Sequence, residues 1–288
     1  MKKISKRLRL IIILVSIIAF IALSVVSWGL IENNSPVLTK YEVKSERVPE
    51  LFRGYKIAQI SDLHNKTIGK NNQKVLDLLK QADPDIIVLT GDLVDSRKTK
   101  IDVAVDFAKR AMEIAPCYYV SGNHESRLNN FDVLISELES VGVIVLKNQK
   151  LRLVESDEYI TLIGLQDPAF TNEYPSENDD EYIEETLGAL VEESDGYTVV
   201  LSHRPELFAS YSKCGVDLVF SGHAHGGQFI IPFVGGLYAP GQGFFPKYTQ
   251  GVVTSENTKV VISRGVGNSA FPFRLNNRPE VVLVTLQK

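Results

Sequence analysis

All five histidines of the chain fall in short polar clusters, and each cluster directly follows a run of apolar residues. The clusters are Ser61-Asp62-Leu63-His64, Thr90-Gly91-Asp92, Ser121-Gly122-Asn123-His124-Glu125, Ser202-His203-Arg204-Pro205 and Ser221-Gly222-His223-Ala224-His225. Imidazole combined with carboxylate and amide oxygen, without thiolate, is a donor set for Mn, Fe or Zn at an open site rather than for a closed structural zinc. Asp62, His64, Asp92, Asn123, His203, His223 and His225 offer more donors than one ion takes, so the set predicts two divalent ions sharing a bridging carboxylate. A single histidine at a strand end is commonly a satisfied polar residue; five of five in such clusters is not that pattern. The spacing in Asp62-x-His64 puts both side chains on one face of a straight strand, and a turn at the strand end can serve equally. The glycines before Asp92, Asn123 and His223 are read as permitting tight turns beside the ions. Glu125 reads either as a carboxylate that orients a histidine or as a surface salt bridge.

The elements that must position these clusters alternate. Lys56–Ser61, Asp85–Thr90, Tyr118–Ser121 and Val143–Leu146 read as buried strands, separated by helical spacing over Asn72–Ala82, Ile101–Ile114 and Phe131–Val141. Strand–helix alternation implies a largely parallel sheet, whose carboxyl edge is where ligands bind. The second half offers a hairpin at Leu151–Val154 and Tyr159–Leu165, helices near 180–192 and 206–212, and short strands at Tyr197–Leu201, Asp217–Phe220, Gln228–Ile231, Val252–Thr254, Lys259–Ser263 and Glu280–Leu286. This predicts an α/β domain with a second, more antiparallel sheet. Five clusters at five strand ends would converge on one rim.

From Leu10 to Ile31 no residue is charged, a run long enough at about 1.5 Å per residue to cross a hydrocarbon core of about 30 Å. Lys2, Lys3, Lys6, Arg7 and Arg9 precede it, which predicts an uncleaved single-pass anchor in the cell membrane with its N-terminus inside and the body extracytoplasmic. The alternative is a cleaved signal peptide, against which the length of the run and the mediocre cleavage sites argue. The chain divides accordingly into a basic flank (1–9), the anchor or signal segment (10–31), a strand-like lead-in (32–55) and a catalytic domain (56–288). Net charge is −4, and because the first 31 residues carry five cations and no acid, residues 32–288 carry −9. An acidic body argues against nucleic acid as the partner. Cys117 and Cys214 form no C-x-x-C pair and read as two small buried residues, or as a single disulfide if the body lies outside the cytoplasm.

Taken in order, Asp62-x-His64, Gly91-Asp92, Gly122-Asn123-His124-Glu125, His203 and Gly222-His223-Ala224-His225 resemble the five motifs of the calcineurin-like metallophosphoesterase superfamily. The N-terminal apolar segment and the Gly-rich aromatic stretch Gly235–Phe245 resemble its membrane-associated bacterial branch. The resemblance implies a four-layer sandwich of two mixed β-sheets flanked by helices. It implies that Asp62, His64 and His225 hold one metal, that Asn123, His203 and His223 hold another, and that Asp92 bridges both. His124 takes the position that orients or protonates the leaving group. The activity implied is hydrolysis of phosphodiester or pyrophosphate bonds through a metal-activated hydroxide, with a lipid-linked phosphate ester among the candidate substrates. The alternatives are a phosphomonoesterase or nucleotidase on the same site, or a metal-binding scaffold without catalysis. Arg204, Arg264, Asn268, Arg274 and Arg278 are candidate phosphate contacts, Arg264 first among them, and aromatic residues including Phe229, Tyr238, Phe244, Phe245, Phe271 and Phe273 are candidates for an apolar pocket.

Overall fold

Apolar residues on both faces of a strand require covering layers on both sides, and the fold supplies them twice over. The computed structural model describes residues 5–171, 178–192, 194–268 and 271–288. The basic flank is thus described from Ser5 onward, and Lys2 and Lys3 lie outside the described residues. One six-stranded sheet contains β1 (Val37–Lys44), β2 (Lys56–Ile60), β3 (Ile86–Thr90), β4 (Cys117–Val120), β5 (Ile144–Val145) and β16 (Glu280–Gln287), in the order β1-β16-β2-β3-β4-β5. The other contains β6 (Gln149–Glu155), β7 (Glu158–Gly164), β8 (Thr198–Leu201), β9 (Leu218–Ser221), β14 (Gly251–Ser255) and β15 (Thr258–Ile262), in the order β14-β15-β9-β8-β7-β6. Between β9 and β14 lie two small hairpins, β10 (Ile230–Ile231) with β11 (Gly235–Gly236) and β12 (Tyr238–Ala239) with β13 (Gly243–Phe244).

Alternation along each strand builds three cores. Ile57, Val88, Tyr118 and Val120 of the first sheet face Leu162, Val199, Leu201, Leu218, Phe220 and Val261 of the second, which makes the sandwich interior. Their neighbours Ala58, Ile60, Ile87, Leu89 and Tyr119 point outward onto α2 (Gln73–Ala82), α3 (Ile101–Met112) and α4 (Phe131–Ser140). Ile163, Val200, Val219, Val260 and Ile262 pack against α5 (Asp179–Glu192) and α6 (Phe208–Lys213). The result is the helix–sheet–sheet–helix sandwich. In the first sheet β16 enters antiparallel to β2, and the other pairings are parallel. In the second sheet β15, β9, β8 and β7 run parallel, and only the edge strands β14 and β6 are antiparallel. The second sheet is thus the more antiparallel of the two, as expected, with two antiparallel pairings against one in the first; both are hairpins of neighbouring strands, whereas its parallel centre joins segments far apart in the chain.

The residues read as a lead-in supply β1, the edge strand, which pairs in parallel with β16 from Val37↔Glu280 to Lys44↔Gln287. Ahead of it, α1 (Lys6–Glu32) is capped by Ser5, whose side chain accepts from Leu8 N. Its 27 residues give a length of about 40 Å, and the helix is long and apolar enough to cross a bilayer. Apolar side chains are exposed around its whole circumference, and it meets the body only at its end, through Gly29 and the buried Asn33 that follows.

Candidate metal centre

Strands β2, β3, β4, β8 and β9 all end at one edge of the sandwich, so residues 61–64, 90–92, 121–125, 202–204 and 221–225 meet there. The two sheets are tied together at this edge by Gln59, whose Nε2 donates to Thr90 Oγ1 and to Ser221 O, each at 2.9 Å. His223 N reaches across in the same way and donates to Asp62 Oδ2 at 3.0 Å.

Every residue expected at the site is present and buried there. Asp62, His64 and His225 form one group, and Asp92, His203 and His223 another, each with donor atoms within 4.8 Å of one another. His225 Nε2 lies 3.2 Å from His64 Nε2 and 3.2 Å from Asp62 Oδ1. In the second group His203 Nε2 is 3.2 Å from His223 Nδ1. Asp92 stands between the two: its Oδ2 is 3.5 Å from His64 Nε2 and 3.3 Å from His203 Nε2. Asn123 Oδ1 is buried and has no hydrogen-bond partner. A buried orphan acceptor costs about 1–3 kcal/mol unless something satisfies it. A cation does so, and the donor set therefore fits two divalent ions.

The surrounding groups fix the rings. His203 Nδ1–H donates to Thr90 O at 2.7 Å, so in the neutral ring it is Nε2 that keeps the lone pair. His124 Nδ1 accepts from Ser96 N at 3.1 Å, so the neutral ring carries its proton on Nε2. Asp95 Oδ1 lies 3.7 Å from the same Nδ1. Glu125 is fully buried, and it neither orients a histidine nor makes a surface salt bridge. Its carboxylate accepts from Asp92 N and Gly122 N, each at 2.8 Å, and from Val94 N at 3.3 Å, which pins the β3 and β4 loops to each other. Glu206 places Oε1 3.6 Å from His223 Nε2, on the far side of the ring from His203.

Burial opposes ionisation of Asp62 and Asp92, yet neighbouring imidazoles outweigh it: His225, His64 and His203 hold Asp62 well below the usual carboxylate range, and His203, His124 and His64 do so for Asp92. Burial also works against a charged His203, but Asp92 and Asp62 raise it well above its ordinary value. Burial pushes His223 well below the ordinary imidazole value, helped by His203 and Arg204. In the metal-free chain a proton on His203 thus balances the carboxylates, and cation binding must displace it.

Backbone strain is concentrated here. Asp62, His64, Asp92, His223 and His225 all have positive φ, between 44° and 63°. Such conformations cost about 1–3 kcal/mol each and persist where function requires them. Of the three glycines expected to make turns, only Gly91 has positive φ, at 86°. Gly122 and Gly222 are needed for close approach instead: a Cβ would lie 2.3 Å from Asp92 Oδ1 at Gly122, and 1.8 Å from Ser61 Oγ and 2.4 Å from Asp62 Oδ2 at Gly222. Gly222→Ala should therefore push the Asp62 carboxylate aside. The expected outcome is a melt of the metal-free chain lowered by about 1–3 kcal/mol together with metal affinity weakened by at least about 10-fold, read by thermal scan and metal titration. Unchanged affinity would mean that the loop shifts without moving Asp62.

The arginines expected to meet phosphate are held by the protein. Arg204 is buried between Asp167, at 2.7 and 2.9 Å, and Asp179, at 3.0 Å. Arg264 pairs with Glu280 at 2.6 Å, and Arg278 donates to Ser35 O at 2.7 Å. Arg274 is fully buried; it donates to the carbonyls of Arg264 and Gly267, and its Nη2 lies 3.3 Å from His225 Nδ1. Asn268 donates to Pro272 O. Asn277 donates to His225 O and Gln228 O, which closes the loop after the last histidine. Cys117 and Cys214 are free thiols.

Residues 55–227 match the family model described as calcineurin-like phosphoesterase. The chain is 26% identical over 292 residues to a Danio rerio "Transmembrane protein with metallophosphoesterase domain", covering 95% of this chain and 63% of that protein, so it spans under two thirds of that relative. It is 31% identical over 258 residues to the uncharacterized metallophosphoesterase YkuE of Bacillus subtilis, covering 86% of this chain and 85% of the relative. The fold is similar to that of TT1561 from Thermus thermophilus, with a TM-score of 0.50 at 15% identity over 74% of this chain and 90% of that one. On the family match and the extent of the relatives, the chain belongs to the calcineurin-like phosphoesterase family.

Proposed function

We propose that the chain is a membrane-anchored metallophosphoesterase that holds two divalent ions, Mn, Fe or Zn, and hydrolyses phosphodiester or pyrophosphate bonds of a phosphate ester at the membrane. The observation that carries this reading is the Asp92 carboxylate, whose Oδ2 stands within 3.5 Å of one histidine of each donor group. On it, Asp62, His64 and His225 would hold the first ion and Asn123, His203 and His223 the second, with Asp92 as the carboxylate that would serve both. Bound there, the ions would supply Lewis acidity towards the phosphoryl oxygens and a hydroxide nucleophile near neutral pH. The chain's own groups do the rest. Thr90 O sets the His203 tautomer, Glu125 fixes the backbone around Asp92, and His124 offers Nε2–H to the departing oxygen. The five cations that precede the uncharged run from Leu10 favour a body outside the cytoplasm. The exposed apolar residues in the segment after His225, among them Phe233, Phe244 and Phe245, favour a lipid-linked substrate over a soluble one.

The comparison of bis-p-nitrophenyl phosphate, p-nitrophenyl phosphate and a lipid pyrophosphate in vesicles tests this on the full chain in detergent or bilayer. Faster turnover of the diester and the lipid is the expected result. Preference for the monoester would turn the reading to a phosphomonoesterase, and inertness with both ions bound to a scaffold.

Glu206 gives an independent check. Burial raises its carboxyl to about 7 from an ordinary 4.5, so between these values the folded chain holds a proton that the unfolded chain has lost. Metal-free stability should fall as pH rises through that window, by about 3 kcal/mol at most, and stay lower above it. Glu206→Gln removes its share of that fall and leaves the share of Glu125, which burial likewise raises to about 7. Its metal-free melt should exceed that of the wild type at pH 8 but not at pH 4.5. Its metal affinity should drop about 10–100-fold, because His223 loses the carboxylate facing Nε2. An equal shift in melting at both pH values would refute the buried-carboxylate explanation.

A further inference from the structure

The loop that follows the last histidine is unusual in composition. From Gly226 to Phe245, and on to Pro246, 21 consecutive residues carry no charge, in a chain of which 23% is charged. A solvent-facing loop of that length would ordinarily be rich in charge. Its apolar side chains nevertheless point outward: Ile231, Phe233, Val234, Phe244 and Phe245 are exposed, Phe233 completely so at 109%. Phe271, on the neighbouring segment, is exposed as well. Phe233 and Phe245 are also held at positive φ, 67° and 54°, a conformation bulky residues avoid. Contact with water repays neither the strain nor the exposure.

These pieces form one surface. Ile230 N donates to Leu275 O, Leu237 N to Phe229 O and Phe245 N to Leu237 O. The Phe229 ring lies 5.3 Å from Phe271 and 5.5 Å from Phe273, and Tyr238 lies 5.4 Å from Phe244. The surface is continuous with α1. A Cβ at Gly29, near the end of the apolar run, would lie 3.2 Å from both Phe273 and Arg274 O, and Asn33 Oδ1 accepts from Arg274 N. Trp28 is exposed at that level, as interfacial aromatics are. Just beyond it, Lys74 donates to Asn34 O and Arg278 to Ser35 O, which sets two cations at headgroup height.

We infer that the exposed apolar rim formed by residues 231–245 and Phe271 is a second membrane contact, which lies in the leaflet from which α1 emerges and holds the metal centre against the lipid headgroups. The occupant is a bilayer surface. Continuity with a helix that is apolar all round selects it, and the basic pair fits phosphate headgroups. The rim begins at Ile231, just past the buried residues 226–228 that follow His225, and Gly227 packs against Gly236, so membrane seating and the site share one short segment. The inference rests on α1 being embedded in lipid and not on hydrolysis.

Quenching by lipids brominated on their acyl chains tests it on the full chain in phosphatidylcholine vesicles. Trp28 is the sole tryptophan and reports on the anchor directly. In a Trp28→Phe background, Phe233→Trp reports on the rim, and Val154→Trp, exposed near the β6–β7 turn at the opposite end of the second sheet, is the control. Melting curves confirm that each variant folds. Quenching of native Trp28 and of the Phe233→Trp chain, with none of the Val154→Trp chain, is the expected result. Quenching of Trp28 alone would overturn the inference while leaving the anchor in place, and absence of quenching at Trp28 would remove both. Concentration-dependent crosslinking of a Phe233→Cys chain without quenching of the Phe233→Trp chain would assign the rim to a second copy and overturn it too.

Discussion

Asp92→Asn should leave a folded chain that holds fewer than about two ions and turns over a phosphodiester at least about 100-fold more slowly. The substitution keeps the shape of the side chain and an Oδ1 able to accept from His124 N at 2.8 Å, but it removes the charge that both donor groups share. Loss of a partner one step behind a metal ligand already costs about 10–100-fold, and loss of the shared carboxylate should exceed that. The fold should survive, because Glu125 still holds the β3 and β4 loops through their backbone amides. Metal analysis and turnover on the same preparation check both halves. A variant that kept both ions and most of its activity would exclude Asp92 as the bridge.

His124→Ala should behave differently: metal content unchanged, and turnover lowered by about 10²–10⁴-fold when the leaving group is a poor one. Burial pushes the metal-free ring down to about 4, so it is neutral at pH 7 with its proton on Nε2. A phosphate anion beside it favours the protonated form, and the ring gains charge where the departing oxygen needs a proton. For p-nitrophenolate, which leaves without help, the loss should be far smaller. Rates on an alkyl ester and an aryl ester therefore separate a proton donor from a ring that merely packs. An equal loss on both esters, or loss of metal, would count against the assigned role.

The difference between these two variants reflects what sequence can and cannot carry. Each candidate ligand was legible because it stands directly after a buried apolar run, and the direction of a parallel strand then puts it on the same edge as the others. The helices were legible from their spacing, as with Val75, Leu76 and Leu79 on α2. The groups behind the ligands were not. Glu206 reads as an ordinary acid at the start of a helix, and Arg274 and Asn277 lie in a segment with no periodicity; only the fold brings them to His223 and His225. Asp95 carries a local signal, a second acid three residues after Asp92 at the same strand end. For Glu125, burial and three backbone partners, rather than residue type, decide its work. The pairing of β1 with β16 spans nearly the whole chain and leaves no local trace.

On the proposed reading, two ions, and not one, make the site competent. The most direct test is a Mn titration of the metal-free full chain, with bound metal and bis-p-nitrophenyl phosphate turnover followed together. Turnover should stay low up to about one equivalent and rise to its plateau at about two. A plateau at a single equivalent, or two bound ions with no turnover, would contradict it.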